Sequence, residues 1–376
     1  MTSRERIESV FAGKKPDHFP VMHIGFSSDI ATRLLKREAY VGGGAQQFRE
    51  ACALFQGKEA HKHFLDRSLR DAIDLSRILR HDMIRYAYWR LPVKPTARVD
   101  ERTFIYENGS GAHVRRYDES TELFEPVALK KSERIHILAD RALSHCEDPV
   151  DPRVRFADYI EAKALVGDDI PLRVGAAGLF IPTETEWLEA VVLDPDVVAA
   201  FLDAQVERGL REIRALSELG GVYVFGGGDM ASAQGPMYSP RVFERLMLPR
   251  LVRLVDECNA LNMKYLFNSD GNLWPVSDMI FREAGVHGYY EIDADAGMDL
   301  ERLRGAYPDV VLFGNISSAM LHCGSPRLIA ETTEHCCQIA RDLGRIVVGC
   351  SNQIVAGTKN ENLTAMLETI RRMIDA

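Results

Sequence analysis

A chain of 376 residues with 46% apolar composition can bury one large α/β core or two small ones. Its 46 basic and 55 acidic residues leave a net charge of -9 with no block of like charge, which argues against nucleic acid or an anionic membrane as the main partner and towards a small molecule or another protein. The polar start Met1-Thr2-Ser3-Arg4-Glu5-Arg6 leads into no apolar leader and no run reaches bilayer length, so a cytoplasmic protein is expected, and seven cysteines without a Cys-x-x-Cys argue against a disulfide framework.

Eight strand-like runs follow one another: Phe19–His23, Met83–Tyr88, Leu172–Gly175, Val222–Phe225, Lys264–Phe267, Gly288–Glu291, Val310–Phe313 and Ile346–Gly349. Between them lie helix-like stretches with start signals, because Asp194-Pro195, Ser239-Pro240 and Ser325-Pro326 each set a capping side chain before a proline suited to the first helical turn. Gly220 and Gly344 fit the stops, and Thr358-Lys359-Asn360-Glu361 reads as a capping box for the last helix, Asn362–Ile374. Strands alternating with helices predict a parallel sheet, most economically a (β/α)8 TIM barrel forming a single domain over residues 1–376. A β-hairpin insertion is expected between the second and third strands: Arg102–Glu107 and His113–Asp118 are β-like runs joined by Asn108-Gly109-Ser110-Gly111-Ala112. Tyr40-Val41-Gly42-Gly43-Gly44-Ala45 reads either as a glycine-rich connector or as a mobile lid.

Barrels assemble their sites from strand ends, so polar groups there are the candidates. Asp270 follows the fifth run in Asn268-Ser269-Asp270-Gly271, Glu291 ends the sixth, and Cys350 follows the eighth. Together these three could hold a zinc ion, with Asn268 as a weak fourth ligand; equally, the two carboxylates without metal could serve as acid and base. Asp229 follows Gly226-Gly227-Gly228, where glycines would let the backbone approach a ligand, but neither a phosphate-loop Lys-Ser/Thr nor GxGxxG is present. His23 is a candidate proton donor or substrate contact, and Asn268, Asn315, Asn352 and Tyr238 are candidate substrate-binding residues. His61, His63 and His81 lie in charged, helix-like context and are assigned to the surface.

The series Asp229, Gly235-Pro236, Ser239-Pro240, Phe243, Pro249, Asn268-Ser269-Asp270-Gly271, Gly285, Gly288, Glu291, Gly314-Asn315-Ile316, Gly349-Cys350, Thr358 and Glu361-Asn362 resembles the uroporphyrinogen decarboxylase superfamily, from about Leu172 to the C-terminus. That superfamily includes corrinoid-linked, zinc-using methyltransferases. The Arg-Gln-Ala-Gly-Arg signature of true decarboxylases is replaced by His23-Ile24-Gly25-Phe26-Ser27-Ser28. Their Ser-Asp-Ile-Leu element has its nearest counterpart in Ser76-Arg77-Ile78-Leu79, and their Gly-His-Gly in Gly349-Cys350-Ser351. A cysteine there resembles the last zinc ligand of the methyltransferases, whose earlier His-x-Cys pair falls on Asn268 and Asp270. The resemblance implies a methyltransferase that moves a methyl group from a small methoxylated or methylated donor to a corrinoid protein at a metal site. It also implies zinc, cobalamin carried by that partner, and a homodimer. The alternative is a metal-free decarboxylase of an acidic substrate, with Arg77 or Arg115 as carboxylate clamps.

Overall fold

The computed structural model of the protein describes residues 1–88, 90–108, 111–127, 134–147 and 149–376. Six parallel strands form its main sheet, in the spatial order Ile346–Val347, Val311–Phe313, Gly288–Tyr290, Lys264–Asn268, Tyr223–Gly227 and Arg173–Gly178. The register pairs Leu266 with both Phe225 and Gly288. The two earliest strand-like runs join its edges as short bridges, Val21 beside Val348 and Ile84 beside Leu172. Between these two edges the Asp82 amide donates to the Val21 carbonyl (2.8 Å). The fold is therefore mixed α/β around a parallel sheet. No helix among the described residues is long and apolar enough to cross a membrane.

Period-two alternation sorts the strands of this sheet and the two edge runs between two apolar clusters. Val21, Val174, Val224, Tyr265, Phe267, Tyr289, Leu312, Ile346 and Val348 face the larger cluster, shared with helices such as Pro195–Glu218, Leu248–Ala260, Pro326–Leu343 and Asn360–Asp375. Met22, Ile24, Met83, Tyr223, Leu266, Tyr290, Val311, Phe313 and Val347 turn to the opposite face, where Ile7 and Val10 of the Ser3–Phe11 helix join them. That helix sits at the N-terminal ends of the strands: the Arg4 amide donates to the Asp169 carbonyl, and Arg345, just before the last strand, donates to the Phe11 carbonyl.

The runs expected as a hairpin lie in a four-stranded antiparallel sheet ordered Ala97–Arg98, Thr103–Asn108, Gly111–Asp118, Leu123–Pro126. Its central strands pair Thr103 with Arg116 and Ile105 with Val114, while Gly109 and Ser110 lie outside the described residues. Phe104, Tyr106 and Phe124 pack there with Ala51 of the Gly43–Gln56 helix. The glycines at the start of that helix are a packed junction rather than a lid, since a Cβ on Gly42 would stand 2.1 Å from the Phe26 carbonyl oxygen and one on Gly44 2.4 Å from the Phe124 nitrogen.

Of the expected caps, Ser239 and Ser325 accept from the amides of Val242 and Leu328. Asp194 caps nothing and instead pairs with His136 at 3.3 Å. The last helix starts at Asn360, with Lys359 at its cap position and Thr358 buried, so no capping box forms there.

Candidate functional site

Close packing of adjacent backbones builds the site. A Cβ on Gly227 would lie 2.7 Å from the Asn268 carbonyl oxygen, and the Gly228 amide donates to that same oxygen (3.0 Å). The glycine run before Asp229 thus serves strand against strand, not the close approach of a ligand. Ser269 locks the two loops together, accepting from the Met230 amide and donating to the Asp270 carbonyl.

Asp229, Asp270 and Glu291 each offer a carboxylate oxygen, and these atoms all lie within 4.8 Å of one another. Asn352 donates to Asp270 (2.7 Å), Asn268 donates to Glu291 (3.0 Å), and the Asp270 amide reaches Asp229 at 3.4 Å. Strand alternation would send Glu291 to the helix-covered face with Tyr289. Its backbone instead takes φ = 64°, left-handed and costly for a residue with a side chain, and this turns the carboxylate towards Asp270. Burial, then Glu291, Asp229 and Asp293, raise the Asp270 carboxyl to about 7, against which the Asn352 hydrogen bond acts. Burial raises Glu291 too, although the bond from Asn268 and the charges of Arg173 and Arg85 oppose the rise.

Cys350 does not join these carboxylates. It falls in step with Ile346 and Val348 on the helix-covered face, is fully buried in the larger cluster, and burial pushes its thiol up to about 12. Of the expected set Asp270, Glu291 and Cys350, the structure brings the two carboxylates together with Asp229 and leaves the thiol apart. His23 shares Cys350's side of the sheet: its Nδ1 accepts from the Cys350 amide (3.0 Å), and its ring packs on Phe26 and His81. Buried and lowered to about 4, His23 is a neutral ring whose proton belongs on Nε2, an atom without a partner among the described residues. His81, expected at the surface, is buried and accepts from the His23 amide.

Asn315 donates to the Met298 carbonyl (3.2 Å). Tyr238 is buried in the larger cluster, its hydroxyl without a partner among the described residues and raised above its usual range by burial. Arg77 ends the Lys58–Ile78 helix, exposed, and Arg115 is spent on the Phe124 carbonyl in the antiparallel sheet, so neither is a clamp at these strand ends.

Two cations that the sequence reading passed over lie near Glu291: Arg85 and Arg173, both buried and both acting on its charge. Each interrupts an apolar strand run, Met83-Ile84-Arg85-Tyr86 and Leu172-Arg173-Val174, and a lone charge in such a run was the available signal.

The model of the uroporphyrinogen decarboxylase (URO-D) family matches residues 182–373. Among solved structures, the chain is similar to a methyltransferase from Methanosarcina mazei, with TM-score 0.66, 16% identity and 99% of each chain covered. A structure described as IOLI protein with a binding zinc atom is far less similar, with TM-score 0.29, 9% identity, and 65% of this chain and 94% of that chain covered, and it carries no argument. No curated protein matches the chain. With more than half of its length matched, this chain belongs to the uroporphyrinogen decarboxylase family.

Proposed function

We propose that the protein is a methyltransferase that binds a divalent cation at Asp229, Asp270 and Glu291 and passes a methyl group from a small donor to a corrinoid carried by a partner protein. The observation that carries the reading is the convergence of three carboxylates at neighbouring strand ends. A parallel sheet closing as a (β/α)8 barrel would set them at its catalytic mouth, and the bonds linking Val21, Asp82 and Val348 favour such closure. Full-length likeness to the Methanosarcina mazei methyltransferase favours methyl transfer over decarboxylation.

The residues fit a cation, since like charges crowded together are relieved by one. Their donors are all oxygen, a set that suits magnesium, manganese or an oxygen-bound zinc rather than a thiolate-rich zinc. Such an ion would supply Lewis-acid polarisation of the donor heteroatom. The chain's own side chains do the rest. Asn268 and Asn352 fix Glu291 and Asp270, and the left-handed turn at Glu291 keeps its carboxylate with the other two. As the methyl departs, its bonding pair stays on the donor oxygen or nitrogen, while the acceptor supplies both electrons of the new bond.

Metal content after loading with zinc, manganese or magnesium, together with methyl transfer to cob(I)alamin from methoxylated aromatics and methylamines, tests the reading. Asp270→Asn and Glu291→Gln are expected to lose at least about tenfold in cation affinity and to abolish transfer. Cys350→Ala should keep its metal. Retention of metal and turnover in both carboxylate variants would overturn the proposal, and loss of metal in Cys350→Ala would restore the thiolate set.

A further inference from the structure

Arg173 is a guanidinium without employment. It is 5% exposed, yet its side chain makes no hydrogen bond or ion pair with any described residue, and Nη1 is fully buried without a partner. What holds it is aromatic: its Cζ stands 3.5 Å from the Phe225 ring centre and 5.2 Å from that of Tyr290. Tyr290 in turn stacks on Phe313 at 3.8 Å. Arg85 lies close enough for Arg173 to weaken its charge, and it reaches the Ile24 carbonyl at 2.9 Å. Glu291 favours the charge of both arginines, yet Arg173 forms no ion pair with it, so the buried fork keeps an N–H donor for a further anion. Two residues along the same strand, on the same face, Gly175 opens onto free space, because a Cβ placed there would meet nothing within 4 Å.

We infer that Arg173 receives a carboxylate of the methyl donor, with Arg85 behind it and Phe225, Tyr290 and Phe313 as the aromatic wall, so that the donor's methylated end faces the Asp229–Asp270–Glu291 carboxylates. A guanidinium fork matches the planar carboxylate with two parallel N–H donors, which a neutral ether or a methylammonium cannot engage. The inference rests on the methyltransferase reading and narrows its substrate class from methylated compounds at large to methylated acids, aromatic ones first.

Calorimetric titration of the full chain with 3-methoxybenzoate and with methoxybenzene tests it, once with EDTA and once with magnesium. The EDTA arm separates Arg173 from any metal-held carboxylate. Saturable binding of 3-methoxybenzoate is expected in both arms, weakened more than about tenfold by Arg173→Gln and less by Arg173→Lys, with methoxybenzene unaffected. Should Arg173→Gln fail to fold, Arg173→Lys decides: weaker 3-methoxybenzoate binding at unchanged melting temperature supports the clamp, and unchanged affinity overturns it. Equal affinity for the acid and the neutral ether would also overturn it. Methyl transfer from trimethylamine without carboxylate binding refutes this inference alone, whereas Arg173-dependent carboxylate binding without transfer from any donor refutes the methyltransferase reading alone.

Discussion

Between its ordinary value of 3.8 and the value of about 7 that its surroundings impose, Asp270 keeps a proton in the folded chain that the unfolded chain has already lost. In that window the folded state binds more protons, so this group's contribution to stability declines as pH rises from about 4 to about 7. Asp270→Asn removes the charge and is expected to melt higher than the wild type at pH 8 with EDTA present, and to lose part of the wild-type fall between pH 5 and pH 8. Thermal denaturation across that range checks it, and parallel wild-type and variant curves would show that the carboxyl is not perturbed. Cation binding must displace the same proton, so affinity for the metal should climb over the same interval. Asp229, Asp270 and Glu291 were legible as polar residues at strand ends. Cys350 and His23 looked equivalent but were not, because alternation aims them at the helices, and only the left-handed backbone of Glu291 rescues that residue from the same fate. A φ angle at a glutamate leaves no mark in sequence. Arg173 and Arg85 did leave one, and it was passed over.

Asp82 ties three elements at once, which no local pattern announces. One oxygen accepts from Ser3 and Arg6 of the first helix, the other from the Val21 amide (2.8 Å), while its own amide donates to Val21. Asp82→Ala would leave the buried Arg6 with Asp17 as its countercharge and the Met1 carbonyl as its other acceptor, and strip the Val21 amide of its acceptor, a loss of about 3–5 kcal/mol by the measure of broken buried ion pairs. Urea unfolding checks this, and a change under about 1 kcal/mol would mean that Asp17 suffices. Most of the eight strand runs were legible from apolar stretches bounded by turns. The first two pair only as single bridges beside the sheet's outermost strands. Capping was legible where serine preceded proline and misread at Asp194, whose carboxylate a distant histidine claims.

At the scale of the whole molecule, the parallel sheet and the family were readable from the C-terminal half, where the strand-end motifs cluster. The N-terminal third was harder, since its antiparallel sheet and its glycine junction take their meaning from contacts with Phe26, Phe124 and Glu122 far along the chain. The first helix has one more effect. Ile7, Val10 and Phe11, with Phe11 5.4 Å from Tyr223 and 6.5 Å from Phe313, stopper the end of the strands away from the carboxylates. On the proposed reading, donor and acceptor protein therefore share one doorway. The smaller must be inside before the larger covers it, and the demethylated product stays captive until the larger lifts away. Turnover becomes a queue of compulsory order, and an excess of acceptor protein, arriving first, would slow the very reaction it serves.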